Sequence, residues 1–207
     1  MSEPKILPKK PRLLVVLGAL GLVLGAFGIM FSVAQASSLL VSRDDYVTAI
    51  REAAEKQIGN LPPKLGTKDE LTQLMEKRAD VVYSRRKVAL PLAAVNVILS
   101  FLLFAGCARA LRGQSWGLSA WMLAALASIP YNLIDCALAL VQSNDLRVAF
   151  HGASGPLGEF ARQWVSVESM TAMLKTSVEL LYFGICVVYL RRPEIQARFT
   201  PPPSTSA

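Results

Sequence analysis

Residues 13–42 run for thirty consecutive positions without a charged side chain, and the first two dozen of them are strongly apolar. A helix needs about 20 residues, at about 1.5 Å each, to cross the hydrocarbon of a bilayer. This stretch is long enough to do so. Three further apolar runs follow at residues 88–108, 116–142 and 170–190, the second run bounded sharply by Lys87 and Arg109. Backbone polar groups in lipid must be satisfied within the segment, which a helix achieves. The expected class is therefore all-α: an integral membrane four-helix bundle, with an extramembrane helical hairpin between spans 1 and 2.

The chain has 207 residues, of which 53% are apolar and 18% charged. That balance excludes a disordered chain, a fibrous protein and a nucleic-acid reader. The net charge of +7 comes from basic clusters abutting the spans, where anionic lipid headgroups can meet them. It reads as topology rather than as a ligand footprint, and the bilayer is the first partner expected. Lys5, Lys9, Lys10 and Arg12, with Ala34-Gln35-Ala36 downstream, also fit a cleaved leader. The apolar stretch exceeds the roughly 7–15 residues of a leader core, so residues 13–36 are read as an anchor.

Cytoplasmic flanks retain Lys and Arg. With the N-terminus inside, the inner segments (1–12, 109–115 and 191–207) hold nine basic residues and the outer ones (37–87 and 143–169) hold twelve. The raw totals oppose that orientation, with Arg85, Arg86 and Lys87 weighing most. Ten of the twelve, however, are mixed with eight carboxylates between Arg43 and Lys87, whereas the inner flanks are short and almost purely basic. The cluster before the first span usually dominates, so both termini are expected to be cytoplasmic. Trp116 and Tyr189 at one face, and Tyr83 and Trp164 at the other, would anchor at the interface.

Residues 37–87 contain two helix-start signals, Ser42 with Asp45 and Thr67 with Glu70, in which a side-chain oxygen takes up an orphan helix donor. Gly59-Asn60-Leu61-Pro62-Pro63 breaks the chain between them. The pattern predicts a helix over 43–58 and a second from Lys68 running uninterrupted into span 2. Leu71, Leu74, Met75, Arg78 and Val82 share a face, while Arg51 with Glu55 and Glu52 with Lys56 add i,i+4 pairs. Such a hairpin stands about 20–25 Å off the membrane. In the second outer connection, Leu157, Phe160, Trp164 and Val167 form an apolar stripe, predicting an amphipathic helix at the interface. Residues 191–207 are expected to be a disordered tail.

Chemical signatures are sparse. Cys107, Cys136 and Cys186 fall inside spans and read as packing residues, and His151 stands alone in a loop. No metal set, cofactor motif or catalytic signature can be assembled from them. Gly18, Gly21, Gly25 and Gly28 recur at helical spacing, and Gly21 with Gly25 forms a GxxxG that admits a close helix neighbour, within the bundle or in a second copy.

Ionisable groups inside a span cost about 2.5–3.5 kcal/mol each and mark function by default. Asp135, Lys175 and Glu179 are such groups, and Asn132 and Asn96 are expected in the same layer, with Pro130 just below. Lys175 bridging the two carboxylates would be structural glue. Two carboxylates sharing one ammonium would also leave a formal charge of minus one for a proton or cation. The functional expectation is a non-enzymatic accessory or interaction subunit, meeting another membrane protein or a homo-oligomer through the glycine face and another protein through the hairpin. The alternative is a small ion- or proton-coupled transporter using Asp135, Lys175 and Glu179.

Overall fold

Residues 13–40 of the first apolar run and the whole of the other three are helical. A computed structural model describes residues 11–58, 67–153 and 155–199. Among the described residues seven helices follow in order: α1 (Arg12–Leu40), α2 (Arg43–Ile58), α3 (Lys68–Ser84), α4 (Arg86–Leu111), α5 (Ser115–Phe150), α6 (Gly155–Leu190) and α7 (Pro193–Gln196). No strand occurs among the described residues. Four of the helices, α1, α4, α5 and α6, are long and apolar enough to cross a membrane, which makes this a membrane protein. Their exposed residues are themselves large and apolar, including Leu20, Phe27, Phe31, Ile98, Phe101, Leu123, Leu174 and Leu181, as a surface solvated by lipid requires.

The spans pack in chain order: α1 on α4, α4 on α5, α5 on α6. At the end where α1 begins and α6 ends, all four share one core of Leu14, Leu17, Leu103, Cys107, Trp121, Phe183 and Cys186. The short helix α7 joins it, because Ile195 is buried there and the Gln196 amide donates to the Leu190 carbonyl at 2.7 Å. Residues 191–199 are thus folded where a disordered tail was expected: Ile195 and Phe199 supply apolar anchors on that core. Residues 1–10 and the Pro201-Pro202-Pro203 stretch lie outside the described residues.

Close helix approach comes from small residues. A Cβ on Gly25 would lie 2.8 Å from the Ser100 carbonyl oxygen and 2.9 Å from the Phe104 nitrogen, and one on Gly18 would lie 2.9 Å from Leu111. Gly21 faces Cys107 and Tyr182, and Gly28 faces Ser100. The glycine face of α1 is therefore covered within the chain, chiefly by α4, and is not available to an outside helix. Gly106 and Gly117 play the same part between α4 and α5, against Trp121 and the Arg109–Ala110 backbone respectively. The four packing glycines of α1 are read from periodicity; this second pair is missed by it because the two residues sit on different helices.

At the opposite end α5 and α6 run on past their apolar stretches. Helix α5 continues through Pro130 and past residue 142 to Phe150, and α6 begins at Gly155 and runs unbroken into the span. Residues 143–150 and 155–169 accordingly belong to the two long helices, with a turn beginning at His151 after α5, rather than forming a loop with a separate interfacial helix. The buried stripe of early α6 is Leu157, Gly158, Val165 and Ser169, whereas Phe160, Trp164 and Val167 point outward. Packing against α5 selected the 157/165 face, and α3 completes the second core with Leu74, Leu146 and Phe150.

Helix α3 starts with the full capping box: the Glu70 amide donates to the Thr67 hydroxyl oxygen at 3.3 Å, and the Thr67 amide to the Glu70 carboxylate at 2.9 Å. Ser42 caps α2 by accepting from the Asp45 amide at 3.1 Å. Helix α3 does not run straight into α4. Arg85 leaves helical geometry at φ −101°, ψ 4°, while its guanidinium reaches Asp145 on α5 at 2.9 and 2.5 Å. Helix α2 pairs with α3 through Arg43–Asp80 at 2.6 Å, through Arg51–Glu76, and through the Tyr46 and Tyr83 rings at 5.4 Å. The Asp80 hydrogen bond and charge raise the Arg43 pKa. Burial pushes the Tyr83 phenol up, Arg86 opposing it. The breaker 59–63 and the side chains of Glu55 and Lys56 lie outside what is described.

Candidate functional site

Contacts between neighbouring helices fix the register of the spans. Ser32 on α1 meets Asn96 on α4, Gly106 on α4 meets Trp121 on α5, and Asp135 on α5 meets Lys175 on α6. Antiparallel packing then places Asn96, Tyr131 and Glu179 at one level, about 12 Å in from Val88, with Asp135 and Lys175 about 6 Å in. Along the helix axes these residues fall within about 6 Å of one another, but they form two separate polar groups.

The first group joins α1 to α4. The Asn96 amide donates to the Ser32 hydroxyl oxygen at 2.7 Å, and the Ser100 hydroxyl donates to the Asn96 carbonyl at 3.3 Å. Ser32 and Ser100 are both buried. Asn96 is thus occupied as a clamp beside the glycine face and does not join Asp135.

The second group lies between α5 and α6. The Lys175 ammonium is 3.7 Å from the Asp135 carboxylate, with side chains 53% and 33% exposed. Glu179, one turn along α6 from Lys175, interacts electrostatically with both Lys175 and Asp135. Tyr131, one turn before Asp135, is buried and interacts with both carboxylates. Asn132 is buried next to it at 5% exposure. Tyr131 was not among the expected site residues, although its i,i+4 spacing from Asp135 puts both on one helix face. The group holds two carboxylates and one ammonium on a flank that the chain's own helices leave half open.

A closed clamp would look different. Hydrogen bonds between nitrogen and oxygen fall at about 2.7–3.2 Å, as in the Asn96 group, and 3.7 Å at half exposure is a loose pair. Toward the termini the interior is filled by Leu103, Trp121, Tyr182 and Phe183, with the Tyr182 hydroxyl donating to the Leu17 carbonyl at 3.0 Å.

Basic residues meet aromatic rings near both ends of the spans. Arg109 lies over Trp116 and Arg192 over Tyr189, each at 5.7 Å, and Arg86 lies over Tyr83 at 6.0 Å. Trp116 and Trp164 are exposed as anchors would be, but Tyr189 is buried in the shared core. Cys107 and Cys186 are fully buried, Cys136 partly so, and His151 is exposed in the turn after α5. Comparison with protein-family models, with curated proteins and with solved structures finds no match to this chain.

Proposed function

We propose that the protein is a non-enzymatic accessory subunit of a membrane complex. In this reading it is a four-helix bundle across the bilayer, with both termini cytoplasmic and α2 and α3 forming a hairpin outside. It docks a second membrane protein on the α5/α6 flank. The observation that supports this is the partly exposed Asp135, Lys175 and Glu179 set, read as lying at bilayer depth. Charges there cost about 2.5–3.5 kcal/mol each when they face lipid. The set is one positive charge short, so a neighbour bringing a basic or strongly hydrogen-bonding side chain to the same depth relieves that cost. The docking surface thus moves from the glycine face, which α4 covers, to the charged flank.

The test is a photo-crosslinking side chain in place of Val178, which is 56% exposed and one turn from Lys175. Irradiation of native membranes should give an adduct with one discrete membrane protein. That adduct should fall at least several-fold in Asp135→Asn combined with Glu179→Gln. Crosslinks to lipid alone, or an adduct indifferent to neutralisation, would reject the reading. The two carboxylates facing one ammonium favour a second reading, a proton- or cation-coupled transporter. It requires pH-dependent flux in vesicles that Asp135→Asn abolishes.

A further inference from the structure

The spans pack in chain order, and the last does not lie along the first. Helices α1 and α6 meet where Tyr182 bonds to Leu17, without packing along their lengths. Beside that contact a groove of about 380 Å³ opens, with walls that include Leu13 of α1 and Leu181, Gly184, Ile185 and Val188 of α6, and with Arg192 at its end. Its volume lies at the lower end of ligand sites, about 300–1,000 Å³. Gly184 is on the groove wall, and a Cβ placed there meets nothing within 4 Å. The glycines of α1 admit a helix, whereas this one leaves a space.

Two observations identify the occupant. From Leu181 to the end of α6 at Leu190 the helix rises about 14 Å, about half of the roughly 30 Å hydrocarbon thickness, so the groove has about the length of one leaflet. Its open end is cationic: Arg12, Arg191 and Arg192 are exposed there, and among the described residues no carboxylate forms an ion pair with any of them. Glu194 is the carboxylate nearest in sequence. The Arg192 guanidinium is held over the Tyr189 ring at 5.7 Å, which fixes a planar donor at the level where a phosphate would sit.

We propose that this groove retains one anionic glycerophospholipid, an acyl chain running along Gly184 and Val188 and the phosphate against Arg192. The site does not depend on the docking flank of α5 and α6 and stands or falls separately from it.

Native mass spectrometry of the full chain in detergent, titrated with phosphatidylglycerol or phosphatidylcholine, tests the assignment. Wild type should keep a phosphatidylglycerol adduct with about tenfold preference, the scale of one charge-assisted bond. Arg192→Gln should lower phosphatidylglycerol retention to the phosphatidylcholine level. Gly184→Leu, which fills open space, should lose both adducts. Equal retention of the two lipids by wild type overturns the proposal, as does a phosphatidylglycerol preference that survives Arg192→Gln. A dimer mass abolished by Gly184→Leu would put a second copy in the groove and overturns it too. Arg192 is exposed, so that variant remains informative even if Gly184→Leu proves unstable.

Discussion

Gly25 and Gly184 both lie inside long apolar helices, and only their neighbours tell them apart. A methyl group on Gly25 meets the Ser100 carbonyl oxygen at 2.8 Å, backbone that cannot step aside. Gly25→Ala should therefore force α1 from α4 and cost about 1–3 kcal/mol, the usual range for overpacking. It should appear as a lower melting temperature in detergent. Gly184→Ala should leave stability unchanged or raise it by up to about 1 kcal/mol, because the helix gains a better former and nothing clashes. Equal melting temperatures for the two variants would contradict this packing. The charged residues were legible in the same partial way. Asp135, Lys175 and Glu179 stand out because ionisable groups are rare in lipid, but depth alone grouped Asn96 with them. Rotation about the helix axis decided otherwise, turning Asn96 toward Ser32 and Tyr131 toward the carboxylates.

Helix α3 is held to the extensions of α5 and α6 by apolar contact and by two cross-helix ion pairs. Phe150 is 4% exposed and Leu146 2%, while Arg78 meets Glu168 at 2.6 Å and Arg85 meets Asp145. Both pairs are about one-third exposed, so each contributes little beside the apolar burial. Phe150→Ala should cost about 3–5 kcal/mol locally. Amide exchange should accelerate in α3 and leave the α1–α4 contact protected. Uniform protection, or uniform loss, would show that the α3 unit and the spans are not separable. Deleting residues 43–87 to test a partner would strip this core and expose Leu146, Phe150, Leu157 and Val165. Charge changes on the outer surface of α2 are the better probe.

For the molecule as a whole, the serial packing places α7 and the turn at His151 at opposite ends. Val148, 69% exposed near that turn, and Glu194, exposed in α7, should lie on opposite sides of a membrane. Single cysteines at these positions should label with an impermeant maleimide from opposite faces. Cys107 and Cys186 are fully buried and will not compete, and the partly buried Cys136 is changed to Ser in both variants. Labelling of both from one face would mean that the spans do not cross as four. The side on which each label appears also decides the orientation, where the counts of nine and twelve basic residues pull against the charge cluster before span 1.

Helix identity and span number follow from the chain's own chemistry, since thirty uncharged residues and three similar runs have one way to satisfy their backbone in lipid. The capping box at Thr67 and the close face at Gly18, Gly21, Gly25 and Gly28 are legible for the same reason, because both are set within a single helix. What the tertiary structure decided depends on neighbours. It carried α5 and α6 past their apolar runs by giving Leu146, Phe150, Leu157 and Val165 a third helix to bury against. It folded residues 191–199 onto the core and separated Asn96 from Asp135. It also left open the groove at Gly184, a space between helices far apart in the chain, and no residue pattern along one helix encodes a neighbour that does not close.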